Sequence, residues 1–101
     1  MTLTSKQRAA LRAEAHHLSA TVHVGQQGLT EALRQSLEDA LRTRELVKIQ
    51  IAKSTDIDID EAATELARST GADVVQVIGR TATLFRENPE LRAKEPRAKQ
   101  D

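Results

Sequence analysis

Apolar residues recur along the chain with two different periods, and the switches between them mark out seven elements. At about 100° per residue, Leu3, Leu11, Ala15 and Leu18 fall on one side of a helix, beside a stripe of Arg8, Arg12 and His16. Thr4 or Ser5 can cap that helix, and Gln7 holds the capping-box position relative to Thr4, so a helix over 4–19 is expected. Thr21-Val22-His23-Val24 reads as a short strand stopped by Gly25 and Gly28. Leu29, Leu33, Leu37, Ala40 and Leu41 form the stripe of a second helix over 30–43, capped by Thr30, with Glu31, Glu38, Asp39 and Arg42 on its solvated side. Val47, Ile49 and Ile51 alternate with Lys48 and Gln50, the pattern of a half-buried strand over 46–51.

The second half repeats the alternation of element types. Ala62, Ala63, Leu66 and Ala67 predict a helix over 58–70, with Gly71 as its left-handed cap. Residues 73–78 are a β-branched run with apolar positions on both faces, which predicts an interior strand. Gly79-Arg80 makes a two-residue turn, and 81–86 returns as the hairpin partner. The order αβαβαββ is that of an α/β domain over residues 1–86, with two β-α-β crossovers placing helices on the sheet. Residues 87–101 carry four basic and four acidic side chains around Pro89 and Pro96, and read as a charged, disordered tail.

Composition narrows the function. A chain of 101 residues supports one hydrophobic core. Phe85 is the only aromatic residue, so the stacking platforms of RRM and OB-type readers of single strands are missing. There is no cysteine, which removes disulfides, thiolate chemistry and cysteine-zinc sites. No apolar run approaches the ~20 residues of a membrane span, and the start of the chain is charged rather than signal-like, so a soluble cytoplasmic protein is expected. Net charge is zero, yet residues 1–54 hold eight Lys/Arg against five Asp/Glu, and residues 55–86 hold three against six. That asymmetry suits one modest basic face.

Chemistry concentrates in Gly25-Gln26-Gln27-Gly28, between a strand and a helix N-terminus. Glycines at both ends let the backbone turn sharply and approach a ligand. The unpaired first N–H groups of the helix, at the positive end of its dipole, favour a phosphate. A GXXG loop clamps a nucleic-acid backbone in KH domains in this way. Other constellations fail. Adjacent His16 and His17 point about 100° apart and have no cysteine partners, so no metal site is expected. Asp56-Ile57-Asp58-Ile59-Asp60 imitates the start of a calcium loop, but Glu61 and Ala67 stand where Gly and Glu are needed. No nucleophile–base pair is suggested by spacing, so neither an enzyme nor a cofactor is expected.

The segments Thr4-Ser5-Lys6-Gln7-Arg8, Leu11-Arg12, Ala15-His16 and Leu18 resemble the opening of YhbY-type CRM domains, the chloroplast RNA splicing and ribosome maturation family. The resemblance continues through Val24-Gly25-Gln26-Gln27-Gly28-Leu29-Thr30, Glu45-Leu46-Val47-Lys48-Ile49 and Ala62-Ala63. It closes with Thr70-Gly71-Ala72, Val75-Gln76-Val77-Ile78-Gly79-Arg80 and the last strand to Arg86, covering roughly residues 3–86 in family order. The family fold it implies is a four-stranded mixed sheet with three helices, similar to the C-terminal domain of translation initiation factor three plus an N-terminal helix. It also implies an RNA-binding module; bacterial single-domain members associate with precursors of the large ribosomal subunit. Lys6, Arg8, Arg12, Arg34 and Arg80 then join Gly25, Gln26, Gln27 and Gly28 as candidate RNA contacts on a monomer. Two positions depart from the family pattern: the loop commonly carries a basic residue where Gln26 and Gln27 are neutral, and Ala20 stands where proline is usual. The competing expectation is a protein-interaction module that has lost RNA binding. An exposed apolar patch would favour it, and a basic surface from the first helix to the loop would favour RNA.

Overall fold

The computed structural model describes residues 3–53 and 55–89. Seven elements appear in the expected order: α1 (Ser5–Ala15), β1 (Val22–Val24), α2 (Glu31–Arg44), β2 (Leu46–Ile51), α3 (Ile59–Thr70), β3 (Asp73–Ile78) and β4 (Thr81–Phe85). The strands form one mixed sheet in the order β1-β2-β4-β3, with β1 parallel to β2 and β4 antiparallel to both neighbours.

Local chemistry sets the helix starts. Thr4 caps α1 in a complete capping box, its hydroxyl accepting from the Gln7 N–H at 3.0 Å while Gln7 Oε1 accepts from the Thr4 N–H at 2.9 Å. Thr30 and Asp58 cap α2 and α3 through the N–H groups of Leu33 and Glu61, both at 3.1 Å. Gly71, at φ 73°, closes α3 in the left-handed conformation.

Period-2 alternation along the strands divides the core between the two faces of the sheet. On one face Val22, Val24, Val47, Ile49, Ile51 and Leu84 pack against Leu37 and Leu41 of α2 and Ala62, Leu66 and Ala67 of α3. On the other, Leu46, Val75 and Phe85 pack against Leu3, Leu11, Ala15 and Leu18. Those strand residues lie at the start of β2 and β3 and the end of β4, so α1 roofs only one end of its face. Lys48, Gln50, Thr81 and Ile78, further along the same face, are left at least partly open to solvent.

Three expectations are corrected. First, α1 stops at Ala15 rather than reaching 19. The N–H groups of His17 and Leu18 bond back three residues, to Glu14 and Ala15, so the chain tightens into a turn and Leu18 enters the core from there. Second, β3 is an edge strand, not an interior one. Its apolar residues on both faces reflect coverage by α3 on one side and α1 on the other. A register shift between Val74 and Gln76 turns Val75 toward α1, and the Arg8 guanidinium donates to the carbonyls of Val74 and Val75. A bulge and a capping charge both shield such an edge from pairing with another chain. Third, Glu38 is not simply solvated: it pairs in bidentate fashion with Arg86 at 2.8 and 3.0 Å. Contacts also reach Asn88, just beyond β4. Asn88 donates its backbone N–H to Glu45 Oε2 and its side-chain amide to the Arg42 carbonyl, both at 2.6 Å. The rest of the expected 87–101 tail, from residue 90, lies outside the described residues.

Candidate nucleic-acid interface

β1 and β2 run parallel, so their C-terminal ends meet at one end of the sheet. There the Ala52 N–H donates to the Val24 carbonyl at 2.9 Å, and the Ile51 N–H donates to the Arg80 carbonyl at 2.9 Å. The Gly25–Gly28 loop, the segment after β2 and the Gly79-Arg80 turn therefore converge on the same end.

The loop is a four-residue turn closed by Gly28 N–H donating to the Gly25 carbonyl at 3.0 Å. Gln26 and Gln27 stand at its exposed tip. The two glycines have different reasons for being there. Gly28 holds φ 74°, and a Cβ added to it would meet Ile57 Cδ1 at 2.9 Å, so conformation and space both demand glycine. Gly25 has neither constraint, since its Cβ would meet nothing within 4 Å. Openness at Gly25 leaves its backbone approachable from solvent.

A buttress from the β2–α3 connection fixes the loop. The buried Thr55 hydroxyl donates to the Gly25 carbonyl at 2.7 Å, and Ile57 packs beneath Gly28. Directly after the loop, Thr30 caps α2 by taking the Leu33 N–H, which leaves the earliest N–H groups of that helix without intrahelical partners. A shallow groove of about 460 Å³ lies between the loop and α2, lined by His23, Gln26, Gln27, Thr30, Leu33 and Ser36 among others. The lining holds no lysine, arginine or carboxylate, so its donors are the His23 imidazole, amides, hydroxyls and backbone N–H groups.

The charged candidates divide into two groups. Arg80 sits at the loop end of the sheet, its guanidinium 3.4 Å from the Ala52 carbonyl and largely exposed. Lys6 is exposed on α1, and Arg12 is half-buried one turn beyond Arg8. Arg8 is anchored to β3, on the edge of the sheet away from β1, so it is not brought beside the loop. Arg34 is turned toward α3, where it meets Glu65 at 3.5 Å with its Nε buried and without a hydrogen-bond partner. Its charge is thus paired away from the loop rather than presented with it. Glu65 also takes the Arg68 guanidinium at 2.6 Å, a bond that holds its carboxyl below the ordinary value.

Two contributors were not singled out by sequence. Lys53 is exposed in the turn one residue after Ala52, at the same end as the loop. Thr55 and Ile57 are the buttress. The signal for both was topological: a parallel β1–β2 pair brings whatever follows β2 beside whatever follows β1. The same segment carries the exposed carboxylates of Asp56 and Asp58, so negative charge borders the loop on the α3 side. Lys48, in contrast, lies on the sheet face that α1 leaves partly open.

Residues 3–86 match the CRS1 / YhbY (CRM) domain. The chain belongs to that family. Among proteins similar to this CRM domain, Probable RNA-binding protein YqeI of Bacillus subtilis is 34% identical over 88 residues, covering 87% of this chain and 92% of that protein. A Haemophilus influenzae protein named RNA-binding protein is 35% identical over 96 residues, covering 95% and 97%. The solution structure of SAV1595 from Staphylococcus aureus, described as a candidate RNA binding protein, superposes with a TM-score of 0.74 at 33% identity, over 86% of this chain and 91% of that one. This chain aligns with nearly the whole length of each of these three. Among the described residues no helix is long and apolar enough to cross a membrane.

Proposed function

We propose that this CRM domain binds structured RNA through the Gly25–Gly28 loop and the basic residues at the same end of the sheet, and that it serves as a non-catalytic, monomeric, cytoplasmic assembly factor on large-subunit ribosomal RNA precursors. The observation that carries the reading is the loop itself. Its backbone is locked by Gly28, Thr55 and Ile57, while its two amide side chains stand free at the tip. A rigid, glycine-bounded turn leading into a helix N-terminus suits a sugar-phosphate backbone. Arg80 and Lys53 add charge from one side, and Arg12 and Lys6 add it along α1. The relatives named RNA-binding proteins support the same ligand class.

Neutral Gln26 and Gln27 make this loop a hydrogen-bonding clamp rather than an ionic one. Recognition therefore rests on RNA shape, with the phosphate charge read by residues around the loop. The rival reading, a protein-interaction module, calls for an exposed apolar patch. Ile78 is the one large hydrophobic exposed among the described residues.

Sedimentation of a cell lysate through a sucrose gradient at low and high salt tests the proposal. Gln26→Glu with Gln27→Glu is the informative variant, because both side chains are exposed and the change adds charge without touching the turn. Wild-type protein in large-subunit precursor fractions, with the variant left at the top, is the expected result. Both forms at the top would end the ribosomal reading. Equal co-sedimentation would move the contact away from the loop.

A further inference from the structure

The open half of the sheet face that α1 does not roof contains a second recess, about 180 Å³, lined by Ala15, His16, Lys48, Gln76, Ile78, Thr81 and Thr83. We infer that this recess receives one unpaired base of the bound RNA, a step that rests on the proposed RNA-binding role of the loop.

Three features argue for a base rather than a phosphate or a protein side chain. The walls are mixed: Ile78, 60% exposed, and the methyl of buried Ala15 offer apolar surface to a ring. Gln76 both donates and accepts, and the Thr81 and Thr83 hydroxyls do the same, which is what reading the edge of a base requires. His16 at the rim supplies a ring for stacking. No lining residue carries a carboxylate. The Lys48 ammonium donates to the Leu18 carbonyl at 3.1 Å with one of its three hydrogens, which fixes it at the wall.

Position supports the same assignment. His23 and Gln50 pair across β1 and β2, and Gln50 pairs with Thr81. Those three residues run in a row over the open face from the edge beside the loop to the recess. Ile78 pairs with Thr81 and adjoins the Gly79-Arg80 turn. An RNA strand leaving the loop on the side away from Asp56 and Asp58 passes over this row, with Arg80 beside it. The recess has room for one base, so the contact adds a single-nucleotide preference to a surface that otherwise reads shape.

The test uses fluorescence anisotropy with five hairpin RNAs of the same stem, one continuous and four carrying a single bulged A, C, G or U. One bulged hairpin should bind wild-type protein about tenfold more tightly than the continuous one, the order expected for a single base-edge contact. Gln76→Ala should remove that difference and leave the affinity for the continuous hairpin unchanged, while Gln26→Glu with Gln27→Glu weakens both. NMR titration of the wild-type protein with the preferred hairpin should shift the Ile78 methyl and Gln76 amide resonances, a readout that does not depend on the variant folding. Equal binding of all hairpins by wild-type protein, or discrimination retained by Gln76→Ala, overturns the inference while leaving the loop reading standing. If the wild-type protein binds none of the hairpins, the loop reading falls and the recess with it.

Discussion

The two ends of the sheet treat their polar groups in opposite ways. At the end where α2 finishes, Arg86 and Asn88 turn their donors inward. Arg86 bridges Glu38 and the Thr70 carbonyl, its own N–H reaches the Glu45 carbonyl, and Asn88 closes on Glu45 and Arg42. Glu45 even holds φ 65°, a conformation that costs a non-glycine residue about 1 kcal/mol, within this web. At the other end, the protein's bonds hold the backbone of the loop and leave its side chains facing water. Polar groups satisfied inside the fold make a latch; polar groups held rigid but unsatisfied make a surface for a ligand.

Substitutions at each end should separate these roles, beginning with the largest effect. Arg86→Ala removes the bidentate pair and the bond to Thr70, and should cost about 2 kcal/mol of stability. RNA affinity at a temperature where the variant is folded should be unchanged. Gly28→Ala meets both a positive φ and the Ile57 contact, and should cost about 1–2 kcal/mol, whereas Gly25→Ala should cost less than about 0.5 kcal/mol. Equal losses at the two glycines in urea denaturation would contradict the division of labour within the loop. Thr55→Val removes the hydroxyl under Gly25 and should cost about 1 kcal/mol, with a several-fold loss of RNA affinity because the loop loses its anchor.

The smallest effect concerns pH. Its hydrogen bonds to Arg86 hold the Glu38 carboxyl below its ordinary value of 4.5. A carboxyl lowered by folding stabilises the native state above its unfolded pKa, and that contribution fades as pH falls through the lowered folded value. Thermal melts should therefore lose stability at acidic pH in the wild-type protein, and Arg86→Ala should lose less over the same range. Parallel acid profiles for the two would mean that the pair contributes nothing measurable.

Much of this was legible from residue pattern because local chemistry and packing agree. Thr4, Thr30 and Asp58 stand where caps belong, and Val47, Ile49 and Ile51 alternate cleanly, so α2, β2 and α3 fall within a residue of expectation. β3 misled because apolar residues on both faces report coverage, not position in the sheet. Coverage came from α1, and nothing local says that a distant helix will fold over an edge strand. The loop was legible for the same reason as the caps: glycines between a strand and a helix are a local signal. Its surroundings were not. Thr55 and Ile57 act across 30 or so residues of chain through a parallel strand pair, and whether an arginine faces solvent or a partner, as with Arg8 and Arg34, is decided by tertiary contacts that periodicity does not contain.

The central claim is that a neutral, rigid loop contacts RNA backbone while charges around it supply the ionic attraction. Salt dependence of RNA affinity measures both at once. Gln26→Lys should steepen the slope of log affinity against log salt by about one unit and tighten binding at low salt, because one more phosphate is neutralised. A slope and affinity identical to wild type would place the RNA elsewhere on the molecule.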